Sequence, residues 1–215
     1  MVRDSLYTAK RWESLRRIID FCVAAVLLLL LGIPFLYIAW RIRQDSPGPV
    51  FFPQKRMKHG GETFWMLKFR TMKVDADDRL VQNEDLDERI TPIGHTLRRL
   101  KFDELPQLLN ILKGDMAIIG PRPMMESLYL KREKELPQYA ERLSVRQGLA
   151  GWAALQGPEE KLPNGFRTQL ELDRYYIEHM SPSLDWSIIL GTVGLLSRSA
   201  ARIPGFDLKS IEAAE

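Results

Sequence analysis

A long uncharged run of apolar residues, from Phe21 to Trp40, constrains the fold of this chain more than any other feature of its sequence. Its length matches the ~20 residues with which a helix spans the hydrocarbon core of a bilayer. Gly32 and Pro34 interrupt the run, and a proline inside a helix removes a hydrogen bond and bends the axis. The residues alone leave two arrangements open: a single span with a tolerated proline, and a helix-break-helix that enters and leaves on one membrane face.

Basic side chains lie on both sides of this run and do not decide between the two arrangements. They are Lys10, Arg11, Arg16 and Arg17 before the run, and Arg41 and Arg43 after it. Positive charge favours the cytosolic side of a membrane, so a symmetric pattern indicates no crossing direction. No small-residue cleavage site follows the run, which argues against a signal peptide that is removed.

The remaining composition allows one domain in addition to the apolar segment. The 215 residues carry a net charge of +3, with a pI of about 9.0. This basic excess suits anionic lipid or phosphate ligands, but it is too small to indicate nucleic acid binding. Cys22 is the only cysteine, which excludes an internal disulfide. The histidines have no zinc spacing, and the chain has no P-loop or dinucleotide-binding pattern.

The sequence after the apolar run predicts an α/β fold that is mainly helical, with a small β-hairpin. Val50-Phe-Phe and the residues from Phe64 to Phe69 are strand-like, and Lys58-His-Gly-Gly between them is typical of a turn. Residues 75–89 are rich in acids but lack the spacing of a calcium loop, which favours a solvated loop. A last helical pattern, from Ser181, suits a membrane-surface helix or a core helix.

The most informative polar stretch extends from Lys101 to Pro123 and opens with two adjacent carboxylates, Asp103 and Glu104. A helical face of apolar residues follows at Leu105, Leu108, Leu109 and Leu112. Pro106 is tolerated only in a first helical turn, so we expect Asp103 at or beside the N-cap. At the other end of the stretch, Gly120-Pro-Arg-Pro holds Arg122 in a stiff loop.

Two interpretations of the carboxylate pair compete. In the first, Asp103 is a helix cap, Glu104 is a first-turn acid that favours the helix dipole, and Arg122 is a surface charge. In the second, Asp103 is a nucleophile that the helix end keeps ionised, and Glu104 helps to hold a divalent cation. Paired carboxylates offer the hard oxygen ligands that Mg²⁺ prefers.

Other residues are candidates for contacts with a phosphate or another part of a substrate. Lys68 and Arg70 lie at the end of the predicted hairpin, Arg98 precedes the carboxylate pair, and Arg122 follows it in the stiff loop. A glycine-punctuated loop and a later helical pattern supply the remaining candidates, which are Arg146, Gly151, Trp152, Asp173 and Tyr176. Arginine suits this role because its planar guanidinium binds phosphate through two parallel hydrogen bonds.

Several short motifs, taken together and in order, closely resemble the bacterial sugar transferase family. Its members are the monotopic polyprenyl-phosphate phosphoglycosyl transferases, and the likeness covers roughly residues 8–200. The motifs are Arg17-Ile-Ile-Asp-Phe before the broken apolar run, Lys68-Phe-Arg-Thr-Met, Asp103-Glu-Leu-Pro-Gln, Lys113-Gly-Asp-Met, Gly120-Pro-Arg-Pro and Gly151-Trp. The chain resembles the small form of the family, which lacks the additional N-terminal membrane domain of larger members.

The resemblance implies a reaction at a membrane. A sugar 1-phosphate would move from a UDP-sugar to a polyprenyl phosphate, normally undecaprenyl phosphate, and UMP would leave. Asp103 would attack and form a phosphosugar-aspartyl intermediate, while Asp103 and Glu104 would hold Mg²⁺. The resemblance also makes Pro34 the break of a re-entrant helix, which favours the second of the two membrane arrangements.

On this basis we expect four segments. Residues 1–17 would be a basic amphipathic segment on the headgroups, residues 18–43 the re-entrant membrane helix, residues 44–203 a cytosolic catalytic domain with interfacial helices, and residues 204–215 a disordered tail. The protein would then lie at the cytosolic face of the bacterial inner membrane, in contact with its lipids. Ile33 stands where the family usually has serine, and Gln147 and Ala150 depart from the usual loop, which leaves nucleotide and sugar specificity open.

Two other functions remain open at this point: a membrane-anchored magnesium-dependent phosphohydrolase, and a scaffold of a glycan assembly complex without turnover. The intact pair of Asp103 and Glu104, together with Arg122, argues against the scaffold. A homodimer is compatible with the resemblance. The sequence does not identify the UDP-sugar, the polyprenyl chain, the glycan pathway or the oligomeric state.

Overall fold

The computed structural model describes residues 2–74, 89–157 and 162–196, and in these ranges the protein is mainly helical with two small sheets. The helices are α1 (Val2–Leu30), α2 (Gly32–Asp45), α3 (Pro92–Arg99), α4 (Gln107–Lys113), α5 (Glu126–Glu135), α6 (Trp152–Gln156), α7 (Phe166–Glu178) and α8 (Pro182–Leu196). The strands are β1 (Phe51–Met57), β2 (Thr63–Phe69), β3 (Ala117–Ile119) and β4 (Gly148–Ala150). The mainly helical fold with a β-hairpin is therefore confirmed. Most of the predicted acidic loop and the predicted tail lie outside the described residues.

The predicted hairpin is formed by β1 and β2, which pair antiparallel from Phe51 opposite Phe69 to Met57 opposite Thr63. Gly60 and Gly61 adopt φ angles of 78° and 81° in the connection, a left-handed backbone that glycine adopts without steric cost. The hairpin places Lys68 near the end of β2, from where its side chain reaches the carboxylate pair.

A second sheet consists of β3 and β4, which pair in parallel through Ala117 opposite Gly148 and Ile119 opposite Ala150. We did not predict this sheet, because strands of three residues are too short to show an alternating pattern. It joins the chain just before Gly120-Pro-Arg-Pro to the glycine-punctuated loop. Ile119 and Trp152 then share one buried apolar cluster with Leu172 and Ile188.

The apolar run forms a bent pair of helices. Helix α1 continues without interruption to Leu30, α2 begins at Gly32, and the two axes differ in direction by 63°. Pro34 lies in the first turn of α2, where its missing N–H is tolerated, so the break precedes the proline by three residues. In the ranges that the structure describes, no single helix is both long and apolar enough to cross a membrane, although this bent pair together meets that requirement.

The part of α1 that precedes the apolar run packs against the domain. Arg16 is buried and donates to the Tyr176 hydroxyl at 2.8 Å and to the Ile119 carbonyl. Arg17 donates to the carbonyl oxygens of Ile111 and Leu112 at 2.5 and 2.7 Å. Residues 12–17 are therefore held by the domain, and α1 continues through the expected boundary between residues 17 and 18. Contact of residues 1–17 with lipid headgroups stays a prediction.

The far end of the bent pair returns to the same domain. Ile38 and Ile42 of α2 are buried and pack with Val50, Phe69 and Leu97. Between the two attachments, the residues around the bend are strongly exposed: Leu29 by 84%, Ile33 by 82% and Leu36 by 73%. An exposed apolar apex between two attached arms is the shape that a re-entrant helix pair requires.

Candidate active site

The carboxylate pair lies in a tight turn, and the residue directly before this turn has a strained backbone conformation. Lys101 has a φ of 58°, a left-handed conformation that is uncommon for a residue with a side chain. Asp103 and Glu104 belong to the short 3-10 turn Phe102–Glu104, and α4 begins only at Gln107. The predicted N-cap position of Asp103 is therefore wrong. Pro106 occupies the N-cap of α4, and the residues before it form a separate 3-10 turn rather than the first turn of α4.

A buried amide fixes this turn relative to the hairpin. The Asn110 side chain accepts a hydrogen bond from the Leu67 amide at 2.9 Å and donates to the Trp65 carbonyl at 2.8 Å. Asn110 belongs to α4, so these two bonds attach that helix to β2. Because Lys68 is the next residue of β2, its ammonium group is held beside the carboxylates that precede α4.

Glu104 is the centre of a cluster of charges. Its carboxylate lies 3.3 Å from the Lys68 ammonium and forms a close ion pair with the Arg122 guanidinium. Burial acts to raise the pKa of Glu104, but Arg122 and Lys68 outweigh burial and hold that pKa at about 2. Glu104 is therefore ionised at any physiological pH. The stiff loop brings Arg122 into contact with the pair, and Arg122 is therefore not merely a surface charge.

Asp103 has a different environment from Glu104. It is buried, and its Oδ1 atom has no hydrogen-bond donor among the described residues. Burial raises the pKa of Asp103 and the Glu104 charge adds to this increase, whereas Lys68 and, to a smaller extent, Lys101 and Arg98 lower it. The cations around Asp103, rather than the end of a helix, are what favour its ionised form. An ionised carboxylate with an unpartnered oxygen is able to act as a nucleophile or to bind a cation.

The two carboxylates suit a magnesium ion that a substrate helps to bind. In the described part of the chain, no group of three or more histidine, cysteine, aspartate or glutamate residues could form a cage of protein ligands. Mg²⁺ often keeps several waters and uses only one or two carboxylates together with substrate phosphates. The unpartnered Oδ1 of Asp103 fits this pattern. Glu104 fits it less completely, because Lys68 and Arg122 already occupy its carboxylate.

Two further predicted phosphate ligands differ in their relation to the pair. Arg98 lies close enough to Asp103 to lower its pKa and donates to the Thr71 hydroxyl at 2.9 Å. Arg70 donates instead to the carbonyl oxygens of Ser46 and Pro47, at 2.7 and 2.6 Å. Arg70 therefore ties the chain after α2 to the end of the hairpin, and its contact with a phosphate stays a prediction.

Arg146 and Tyr176 belong to the attachment of α1 rather than to the carboxylate cluster. Arg146 donates to the Glu13 carbonyl at 3.0 Å and lies 3.8 Å from the Asp20 carboxylate. The Tyr176 hydroxyl accepts from Arg16 and donates to Asp185 at 2.9 Å. Both residues are buried, and the structure gives them a role in positioning α1.

Gly151 and Trp152 contribute to packing. A Cβ atom on Gly151 would lie 2.4 Å from the Gly120 carbonyl oxygen, so only glycine allows the two loops to approach this closely. Trp152 is buried in the apolar cluster behind β3. Their spacing in the sequence therefore reflects the contact between two backbone segments, and the structure does not bring either residue to the carboxylate pair.

Asp173 forms a fully buried ion pair with Arg142, with 2.6 Å between Oδ2 and Nε. Arg142 also donates to the Tyr139 hydroxyl at 2.8 Å and to the Arg122 carbonyl at 3.2 Å. Asp173 therefore acts on the candidate site from a distance, by holding the guanidinium that supports the Arg122 loop. The sequence placed Asp173 in direct contact with a substrate, and Arg142 was not singled out.

Arg56 is a second residue that the sequence analysis missed. It lies in β1, its charge interacts with Glu104 and Arg122, and it donates to the Pro123 carbonyl at 3.1 Å. The register of the hairpin could have revealed it. Phe64 is opposite Arg56 and precedes Lys68 by an even number of residues, so alternation places Arg56 and Lys68 on one face.

Over most of its length the chain is similar to known bacterial proteins. A protein from Aeromonas hydrophila described as a UDP-N-acetylgalactosamine-undecaprenyl-phosphate N-acetylgalactosaminephosphotransferase is 36% identical over 190 residues, which cover 88% of this chain and 45% of that protein. The exopolysaccharide production protein PSS of Rhizobium leguminosarum bv. phaseoli is 38% identical, and the match covers 83% of this chain and 93% of that protein.

A third relative is the UDP-glucose:undecaprenyl-phosphate glucose-1-phosphate transferase of Xanthomonas campestris pv. campestris. It is 39% identical over 80% of this chain, but the match covers only 37% of that protein. The chain thus spans less than half the length of the Aeromonas and Xanthomonas relatives. A family model described as bacterial sugar transferase matches residues 11–199, which include Asp103, Glu104 and the cations described around them. The chain belongs to the bacterial sugar transferase family.

Proposed function

We propose that this protein transfers a sugar 1-phosphate from a UDP-sugar to undecaprenyl phosphate, with release of UMP. The observation that carries the proposal is the carboxylate pair among cations: buried Asp103 with an unpartnered oxygen, beside Glu104, Lys68 and Arg122. The described reactions of the Aeromonas and Xanthomonas relatives belong to this class. The exopolysaccharide description of the Rhizobium relative supports a role at the start of glycan synthesis.

The reaction proceeds in two displacements at one phosphorus atom. An oxygen of ionised Asp103 attacks the β-phosphorus of the UDP-sugar, and the bond from that phosphorus to the bridging oxygen breaks, so that UMP leaves with the electron pair. A phosphate oxygen of the lipid then attacks the phosphosugar-aspartyl group, and the Asp103 carboxylate is released. No proton is lost by Asp103 in the first step, because a carboxylate attacks without a base.

The neighbouring charges suit this chemistry. Lys68 stands beside both carboxylates and can contact the phosphate that is attacked. Arg122 can contact the same diphosphate, since its fork-shaped guanidinium matches phosphate oxygens. Mg²⁺, held by Asp103 and Glu104 together with substrate phosphates, would neutralise the charge that develops on the leaving phosphate.

The bent helix pair suits a place at the cytosolic face of the bacterial inner membrane. Arg16 and Arg17 attach one arm to the domain, and Ile38 and Ile42 attach the other, so both arms belong to one side. The exposed apolar apex would enter the lipid, and the basic flanks would remain beside anionic headgroups. In this arrangement the carboxylate pair would lie at the plane of the lipid headgroups, where the phosphate of a polyprenyl lipid is confined.

The proposed function is tested by the release of UMP from a panel of UDP-sugars, with and without undecaprenyl phosphate. We expect one or a few UDP-sugars to support continuous UMP release only when the lipid is present. Sugar phosphate released into water, with or without the lipid, would indicate a phosphohydrolase. Absence of turnover with every UDP-sugar would indicate a scaffold.

We expect Arg122→Ala to lower UMP release by more than tenfold, which corresponds to about 1.4 kcal/mol in the activation free energy. The Arg122 side chain is 46% exposed and Lys68 remains beside Glu104, so the loss of stability should be much smaller than the loss of activity. Arg99→Ala is the matched control, because Arg99 is exposed on α3. If Arg122→Ala retains activity within about twofold of the wild type, Arg122 is not a phosphate ligand.

The membrane arrangement can be tested by labelling cysteines on intact cells. In a Cys22→Ser background, single cysteines at Ser5 and Gln44 should both resist an impermeant thiol reagent until the membrane is opened. The reason is that both arms of the bent pair are attached to one domain. Labelling of the Ser5 position from outside, with Gln44 protected, would show that the segment crosses the membrane.

A further inference from the structure

Arg56 is held beside the carboxylate pair without a complete set of partners. Its Nη1 donates to the Pro123 carbonyl and its Nη2 to the Gln54 side chain, but its buried Nε has no acceptor among the described residues. These contacts fix the plane of the guanidinium, and none of them supplies a negative charge. A fixed guanidinium with an unused donor is suited to an anion that brings its own oxygens.

The charge balance of the cluster also favours an anion. Lys68, Arg56 and Arg122 surround the Glu104 carboxylate, which is already shared by Lys68 and Arg122. Burial and the neighbouring Arg122 charge lower the pKa of Arg56 to about 10, although Glu104 acts in the opposite direction. Two guanidinium groups that repel one another remain close only because the fold holds them, and a phosphate between them would offset the repulsion.

The position of Arg56 within the cluster indicates which phosphate it would contact. Arg56 is opposite Phe64, which precedes Lys68 by four residues on β2, so roughly 13 Å of strand separates the two backbone positions. Lys68 contacts the Glu104 carboxylate, whereas Arg56 donates to the carbonyl of Pro123, the residue after Arg122. Arg56 therefore lies at the Arg122 end of the cluster, away from Lys68.

We propose that Arg56, together with Arg122, binds the α-phosphate of the nucleotide sugar, the phosphate that leaves as part of UMP. The proposal rests on the function proposed above, in which Asp103 attacks the β-phosphate. Arg56 then holds the leaving phosphate in line behind the bond that breaks, and Lys68 contacts the phosphate that is attacked. The substrate class that this arrangement requires is a diphosphate rather than a monophosphate.

The test is the binding of inorganic pyrophosphate to the purified full-length chain with excess Mg²⁺, measured by calorimetry. We expect Arg56→Gln to weaken pyrophosphate binding at least tenfold, and Arg99→Gln, the exposed control, to leave it within twofold of the wild type. Arg56→Lys keeps the charge but loses the fork, so an intermediate affinity is expected. If Arg56→Gln does not fold, Arg56→Lys decides the question, with binding at least threefold weaker than in the wild type.

Wild-type affinity in a folded Arg56→Gln or Arg56→Lys variant would overturn the proposal, and so would the absence of pyrophosphate binding to the wild type. The result is independent of the transfer reaction. If pyrophosphate binding depends on Arg56 but the protein releases no UMP from any UDP-sugar, the phosphate site is supported and the proposed function is contradicted. If UMP release depends on the lipid but Arg56 has no effect on pyrophosphate binding, the proposed function is supported and the phosphate site is contradicted.

Discussion

Asp103→Asn should abolish UMP release while the protein stays folded. Asparagine has nearly the same shape as aspartate but no negative charge, so it cannot attack phosphorus as a carboxylate does. In a serine protease, loss of the nucleophile lowers kcat by about 10⁶-fold, and we expect a loss of roughly 10⁴-fold or more here. The Oδ1 atom of Asp103 has no hydrogen-bond partner in the described structure, so the substitution removes none there and should cost little stability.

The control for this experiment is Asp115→Asn, the same chemical change at a carboxylate that pairs with Lys58 at 3.8 Å. It should retain turnover within about twofold, well under the 1.4 kcal/mol of a tenfold effect. Glu104→Gln should reduce UMP release severely, since Lys68 and Arg122 would lose their shared anion. Turnover by Asp103→Asn comparable to that of the control would show that Asp103 is not the nucleophile.

Asp173→Ala should have the largest effect on stability. It would leave the Arg142 guanidinium buried without its counter-ion, and the loss of one partner of a buried pair costs about 3–5 kcal/mol. For a chain of this size, that corresponds to a decrease of roughly 6–20 °C in the thermal midpoint. The double variant Arg142→Met with Asp173→Leu should recover much of the stability, because no unpaired charge remains in the core.

Asp173→Ala and the double variant together show whether Asp173 supports the candidate site or contacts a substrate. Arg142 donates to the Arg122 carbonyl, so the stabilised double variant should fold and still lose activity as the Arg122 loop loosens. If Asp173 contacts the substrate instead, Asp173→Ala would keep the wild-type thermal midpoint and show only a raised KM. That outcome would contradict the structural role that we assign to this ion pair.

Local pattern was sufficient to predict the hairpin, the broken apolar run and the carboxylate pair. Each of these depends on residues that are close in sequence, such as the glycines between β1 and β2 or the adjacent Asp103 and Glu104. The Gly120-Pro-Arg-Pro loop was also recognised, but its contact with Glu104 through Arg122 was found only in the structure. The position of Asp103 relative to α4 was wrong, because a proline can follow a 3-10 turn as readily as it can open the helix.

The contacts that join remote segments were beyond local pattern. Arg16 and Tyr176 are 160 residues apart, and neither side chain indicates the other. Arg146, Asp173 and Tyr176 were selected as polar residues near glycine or aromatic neighbours, but the tertiary packing uses them in buried pairs. A charged residue in an apolar core and one in a phosphate site look alike in a sequence, since both are polar residues within apolar surroundings.

The measurement that tests the central claim most directly is the intact mass of the protein after incubation with an accepted UDP-sugar and no lipid. We predict a mass increase equal to one sugar phosphate, located on Asp103 by peptide mapping and accompanied by one equivalent of UMP. Undecaprenyl phosphate should then discharge the adduct, and Asp103→Asn should form none. Lipid-dependent UMP release without any adduct on the trapped wild-type protein would contradict the covalent mechanism.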